Sequence, residues 1–253
     1  MISIVIPILN EEATIGKLLQ HLIENSSPQI VSEIIIVDGG STDNSLVIIQ
    51  DFLSGRAESR PKDLSTACPS GRWVLEETKI KFLKSEKGRA KQMNLGTKSA
   101  TGGILYFLHA DSFPPKYFDQ LIINEVQRGH LAGCFKMKFE SNHWWLKLAS
   151  WLTQFSWRAC RGGDQSQFIT KDLFYKIGGY DERFMVYEDN DLIDKLYERK
   201  QFVVIQEWLT TSARRYNTNG VWKLQYHFWV IHFKKWFGAS SEELLAYYIK
   251  HIC

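Results

Sequence analysis

The apolar run over residues 3–9 predicts a strand, and Ile15, Leu18, Leu19, Leu22 and Ile23 recur at the spacing of one helix face over 12–25. A second buried strand follows at 33–37, and strand, helix, strand opens a parallel sheet. The stretch "DGGSTDNSLVIIQDFL" adds a glycine turn and a second helix, with Ser41 or Thr42 as its predicted cap. Residues 54–78 hold Gly, Pro, Ser and Arg with little periodicity and read as a long surface loop. "IKFLKS" is a short third strand, and "GRAKQMNLGTKSATG" is a loop feeding a helix. The run 104–108 is a fourth strand buried on both faces, and Ser112 to Pro115 end its pairing because proline cannot donate to a ladder. The order βαβαβαβ makes a nucleotide-binding half-domain the leading architecture.

Beyond Pro115 the pattern is mixed. It predicts a helix near 116–128, a strand near 133–139, an aromatic-rich segment at 143–158, a strand near 166–170 and a helix near 171–177 closed by Gly178 and Gly179. "YEDNDLIDKLYERK" opens another helix with its carboxylates at the favourable positive end of the dipole. From Gly220 onward the tail reads as helical.

Composition narrows the class. Of 253 residues, 44% are hydrophobic and 23% charged, which excludes disorder and a multi-span membrane protein. A net charge of +3 lies far below the basic excess of a nucleic-acid binder, so no nucleic-acid partner is expected. Cys68, Cys134, Cys160 and Cys253 show no paired spacing, which fits thiols in a reducing compartment. The start "MISIVIPILN" has no basic leader and reads as a strand rather than a signal peptide. With no apolar run of membrane-spanning length, the expected location is the cytoplasm, either free or peripheral on the inner face of the membrane.

Polar clusters fall where the strands should end. His109 and Asp111 sit at the carboxyl end of the fourth strand, where ligands bind in open α/β sheets. The residues alone leave two readings for Asp111: a ligand contact, or a cap for a helix beginning near Pro114 or Pro115. Similar clusters occur at Asn10 to Glu12, Asp38 to Asp43, Gly88 to Asn94, Gly162 to Gln165, Glu188 to Asp191 and Ser212 to Arg215.

Taken together, "SIVIPILNEEATI", "IIIVDGGSTDNS", "KGRAKQMNLGTKSATGGILYFLHADSFPP" and "EDND" resemble the inverting family-2 glycosyltransferases of GT-A fold. "GGDQ" and "TSARRY" resemble a bacterial branch of that family. The resemblance implies an α/β GT-A-type fold, with a mixed, mostly parallel central sheet flanked by helices. The implied catalytic domain covers 1–216, and a helical C-terminal extension covers 217–253. It also implies a nucleoside diphosphate sugar as donor, with a UDP-sugar favoured over a GDP-sugar, and an acceptor of unknown identity. On the donor side it points to Pro7, Asn10, Glu11 or Glu12, and Asp38, with Asp43 as a further candidate. The family's Asp-x-Asp element falls on His109-Ala110-Asp111, making Asp111 the ligand of Mn²⁺ or Mg²⁺, hard cations that favour oxygen. His109 departs from the commoner Asp, and is either a contact to the sugar or metal surroundings or a packed neutral side chain. Arg89 with Lys91, and Arg214 with Arg215, supply positive charge for the diphosphate. Asp189 matches the family's general base, with Glu188 beside it; Asp164 and Gln165 are candidates for holding donor sugar or acceptor.

The aromatics bear on the acceptor. Seven of the nine tryptophans lie in "HWWLKLASWLTQFSWR" and "GVWKLQYHFWVIHFKKWFG". The second segment suits either a helix packed on the catalytic core or one lying on a membrane surface, the latter with a lipid or other apolar acceptor. Two rival functions fit the same composition. A sugar nucleotidyltransferase would carry a glycine-rich, arginine-containing loop where this chain has "ILNEEATI", and a non-catalytic nucleotide-sugar or membrane-interaction module would not need both Asp111 and Asp189.

Overall fold

The computed structural model describes residues 1–54, 79–162, 165–199 and 201–252. In the first half, β1 (Ile2–Ile8), β2 (Val31–Asp38), β3 (Lys79–Lys84) and β4 (Ile104–Phe107) alternate with α1 (Ile15–Asn25), α2 (Ser45–Leu53) and α3 (Arg89–Ser99). There follow β5 (Ser112–Phe113), α4 (Phe118–Gln127), β6 (Ala132–Phe139), α5 (Trp144–Leu152), β7 (Gln167–Thr170), α6 (Lys171–Lys176), α7 (Glu188–Tyr197) and β8 (Phe202–Thr211). The chain closes with α8 (Arg214–Asn219), α9 (Val221–Trp236) and α10 (Ser241–His251). The strands form one sheet in the order β3-β2-β1-β4-β7-β6-β8-β5. It is mixed and mostly parallel, with β4–β7, β6–β7 and β5–β8 antiparallel.

Alternation along β1 explains the layers. Ile4 and Ile6 join the core cluster under α1 and Phe118, whereas Val5 faces the opposite cluster with Met93 of α3. Each such fully buried aliphatic side chain stabilises the fold by about 1.5–3 kcal/mol. Gly96 sets how closely α3 approaches: a Cβ there would lie 2.4 Å from Val5 Cγ1. A third cluster joins Leu224 and Ile231 of α9 and Leu244 of α10 to Leu146, Phe184 and Tyr216. Among the described residues, no helix is long and apolar enough to cross a membrane.

The structure corrects several expectations. Helix α1 begins at Ile15 because Glu11 to Thr14 form a turn, with Ile15 N donating to the Glu11 carbonyl at 2.9 Å. Neither Ser41 nor Thr42 caps α2: Ser41 Oγ accepts from Asn10 N, and Thr42 N donates to Asn10 Oδ1. Pairing does not end at Ser112, since Ser112 and Phe113 pair with Thr211 and Thr210 ahead of the prolines. The cap reading of Asp111 also falls, because α4 starts at Phe118 behind Tyr117 with no side-chain cap. Strand β8 went unrecognised; its exposed Gln206, Glu207 and Trp208 interrupt the apolar pattern. Of the loop reading of 54–78, Ser54 ends α2 and the remainder lies outside the described residues.

Candidate active site

A cavity of about 350 Å³ opens at the carboxyl ends of β1 and β4, within the range of small-molecule sites. Pairing of β1 with β4 stops at Val5 and Phe107, and Leu108 N donates to the Val5 carbonyl. Pro7, two residues further, has no N–H to leave unpaired where the strands part. The crevice forms there, lined by Pro7 and Glu11 from one side and by His109, Ala110 and Asp111 from the other.

Helix α3 supplies the next wall. Gly88 precedes it with φ 139°, a conformation that an L side chain resists. Gln92 Nε2 donates to the carbonyls of Ile8 at 2.8 Å and Val37 at 2.7 Å, fastening the helix to the ends of β1 and β2. Arg89, on the same helix face as Gln92, is thereby aimed at α7. Its Nε lies 2.7 Å from Glu188 Oε1, and its Nη1 lies 3.8 Å from Asp189 Oδ2.

The acidic pair is held in an unusual setting. Glu188 and Asp189 are buried at the first turn of α7, where the helix dipole favours negative charge. Glu188 Oε2 has no hydrogen-bond partner among the described residues. Tyr187, just before them, has φ 84°, a strained value for a bulky residue. Its ring is fixed against Phe184 and against His232 of α9. Burial pushes the Tyr180 hydroxyl pKa well up, and the charges of Asp189 and Glu188 push it further, so this phenol stays protonated beside them.

The last wall comes from the carboxyl-terminal part of the chain. The β5–β8 pairing brings "TSARRY" to Asp111, and Ser212 N donates to the Asp111 carbonyl at 3.2 Å. Arg214 Nη2 then lies 3.1 Å from each carboxylate oxygen of Glu11. Arg215 donates to the Tyr248 hydroxyl, so α10 also borders the cavity.

Other predicted residues have different placements. Asn10 and Glu12 brace the β1–α1 loop on the start of α2: Asn10 adopts φ 57°, and Glu12 Oε2 accepts from Asn44 N at 2.9 Å. Asp38 is buried, with Oδ1 accepting from Ser41 N at 3.0 Å, and Asp43 accepts from the backbone of Glu12 and Ser45. Burial tends to raise the Asp43 pKa, but the Ser45 hydroxyl together with those backbone hydrogen bonds outweighs it and leaves the carboxyl below its ordinary value. Lys91 reaches out to Glu86 at 2.5 Å, and Lys87 borders the cavity instead. Asp191 pairs with Lys195 at 2.7 Å. Gln165 is buried beside Cys134, away from the cavity wall, and Asp164 lies outside the described residues. Sequence reasoning missed Lys87, Met185, Val186 and Tyr248, and reached Gln92 only as part of the Gly88 to Asn94 cluster. Only Gln92 carried a signal, one helical turn after Arg89.

Comparison with known families matches residues 3–187 to "Glycosyl transferase family 2". The chain belongs to this family. The "Probable glycosyltransferase YdaM" of Bacillus subtilis (strain 168) is 24% identical over 212 residues, covering 78% of this chain and 46% of that protein. A Methanococcus voltae "Dolichyl N-acetyl-alpha-D-glucosaminyl phosphate 3-beta-D-2,3-diacetamido-2,3-dideoxy-beta-D-glucuronosyltransferase" is 28% identical over 127 residues, covering 50% of this chain and 34% of that one. The chain thus spans less than half the length of these relatives. Among solved structures, S. aureus TarS 1-349 superposes with a TM-score of 0.60 at 16% identity, over 85% of this chain and 61% of that one. The same TarS fragment has been solved with UDP, at a TM-score of 0.61 over 84% of this chain and 60% of that one. The fold is the GT-A glycosyltransferase fold. The family match ends at residue 187, so Glu188, Asp189, Arg214, Arg215 and Tyr248 fall outside it.

Proposed function

We propose that the chain transfers one sugar from a nucleoside diphosphate sugar to an acceptor hydroxyl with inversion. The observation that carries this reading is the convergence on one crevice of Asp111, two arginines from "TSARRY" and, through Arg89, the Glu188–Asp189 pair. A UDP-sugar donor is supported by the UDP and UDP-GlcNAc complexes of TarS.

Among the described residues, no cluster of three or more His, Cys, Asp or Glu side chains could cage a metal ion. The donor set instead fits a cation that arrives with its substrate, because Mg²⁺ takes one or two carboxylates and fills its remaining positions with phosphate oxygens and water. Asp111 would hold Mn²⁺ or Mg²⁺, which would supply charge stabilisation to the departing diphosphate. Arg214 and Arg215 would contact diphosphate oxygens, in bidentate fashion where geometry allows. Glu11, released by Arg214, would meet the ribose or base. Asp189 would take the acceptor proton as the acceptor oxygen bonds to the anomeric carbon and the carbon–oxygen bond to phosphate breaks with its electron pair. Arg89 would offset part of the charge of the two acids before the acceptor arrives.

Calorimetric titration with UDP and with GDP, each with and without Mn²⁺, tests this reading. Metal-dependent binding of one nucleotide that vanishes in Asp111→Ala is the expected result. A folded protein that binds neither nucleotide would overturn it.

A further inference from the structure

Helix α9 has two apolar faces. On one, Leu224 and Ile231 are buried, with Phe228 packed beside them in the cluster shared with α10. On the opposite face stand Trp222, Tyr226, Trp229, Phe233 and Trp236, at steps of four, three, four and three residues, each between 45% and 78% exposed. At 1.5 Å per residue this stripe runs about 21 Å. Trp144 at the head of α5 extends it, its ring centroid 5.6 Å from that of Trp222, and Phe237 continues it at 81% exposure. Single exposed apolar side chains are ordinary, but a contiguous patch marks an interaction surface. Trp145 of α5 packs on Trp222 and Trp229 at one end, and the rest of the stripe has no covering element among the described residues.

The composition of the stripe identifies what would cover it. Tryptophan and tyrosine, with a broad apolar ring and one polar atom, gather at the level of lipid headgroups. The 16 residues of α9 include no acid, while Lys223 and Lys234 lie roughly a third of a turn from the stripe's centre, Lys234 with its Nζ 5.5 Å from the centroid of the Tyr247 ring of α10. Lys147 of α5 is also exposed. Glu243 shares a groove with Phe233 and Phe237, but it is tied into the capping box of α10 with Ser240. The surface is therefore apolar with a positive border, complementary to an anionic bilayer.

We propose that α9 lies along an anionic lipid surface, with its aromatic stripe at headgroup level, Lys223 at its border and Lys234 exchanging the Tyr247 ring for a lipid phosphate. His232, on the flank of α9, packs on Tyr187, the residue before the acidic pair, 5.3 Å between ring centroids, so the docked helix would also contact the segment that leads into α7. The surface is independent of the donor reading, and its test uses no nucleotide.

Flotation of the purified chain with vesicles measures the interaction directly, using phosphatidylcholine alone or mixed with about a third phosphatidylglycerol. Expected is flotation with the anionic vesicles that weakens as salt rises. Trp229→Ser with Trp236→Ser should lower the partition on the order of tenfold or more. Lys223→Gln with Lys234→Gln should lower it by at least about tenfold on anionic vesicles alone. Circular dichroism establishes that each variant is folded. Wild-type protein left unbound by both vesicle types, or a folded tryptophan variant that floats as well as wild type, would overturn the proposal. A wild-type dimer that the tryptophan substitutions convert to monomer would also overturn it, assigning the stripe to a second copy of the chain.

Discussion

Replacing Arg214 with alanine separates a structural ion pair from a ligand contact. Its guanidinium lies 3.1 Å from both oxygens of Glu11, with the arginine side chain 47% exposed and the glutamate 18%. A pair this exposed contributes about 0–1 kcal/mol, so the melting temperature should fall by no more than roughly 2–4 °C. The same side chain borders the cavity beside Asp111, where a diphosphate would compete with Glu11 for it. Losing a charged hydrogen bond to that ligand costs about 1.5–3 kcal/mol, equivalent to roughly 10–150-fold weaker binding. Calorimetric titration with UDP and Mn²⁺, run beside thermal melts of both proteins, reads the two quantities separately. A large rise in Kd with a nearly unchanged melt is the expected pair of results. An unchanged affinity would refute the reasoning and leave Arg214 as a partner of Glu11 alone.

Two further predictions address the acid pair and the sheet. Asp189→Asn should lower kcat by about 10²–10⁴-fold while leaving UDP affinity near wild type, because the proposed role of the residue is proton transfer rather than donor binding; steady-state kinetics with a UDP-sugar, once the acceptor is identified, would show it, and a preserved kcat would remove Asp189 from the base role. Glu33 is buried, so desolvation tends to raise its pKa, but Lys81 at 2.5 Å, Ser3 at 2.6 Å and Thr101 outweigh that and bring it from 4.5 to about 2. A native pKa below the unfolded one stabilises the fold above pH 4.5, by about 3 kcal/mol, and that contribution is lost as pH falls toward 2. Urea unfolding of wild type and Glu33→Gln should differ by about this amount at neutral pH and converge over that acid range; a gap independent of pH would refute the assignment.

Much of the site was legible because its signals are local. Pro7, Glu11, Arg89, His109, Asp111 and the Arg214–Arg215 pair all stood out at strand ends or helix starts, and all line one cavity. Asn10, Glu12 and Asp38 stood out for the same reason, yet their side chains tie the β1 and β2 loops together. A carboxylate or amide beside a turn carries the same sequence signal whether it accepts from a ligand or from a neighbouring backbone N–H. The sequence does not show the neighbouring partner, which for Glu12 is 32 residues away.

The sequence by itself determined the parallel half-sheet. Strands buried on both faces must be apolar along their whole length, and α1 between the first two shows one apolar stripe, so β1, α1, β2 and β4 declare themselves within short windows. The tertiary structure decided the rest of the cavity. Arg214 and Arg215 reach Asp111 because Ser112 pairs with Thr211, 99 residues along the chain, and the short β5 segment gives no periodic signal. Tyr248 arrives because α10 folds back against α9, and the aromatic face of α9 stays largely exposed because the buried cluster occupies the other. Periodicity reports which face of a segment is apolar, but which surface covers that face depends on segments far away in the chain.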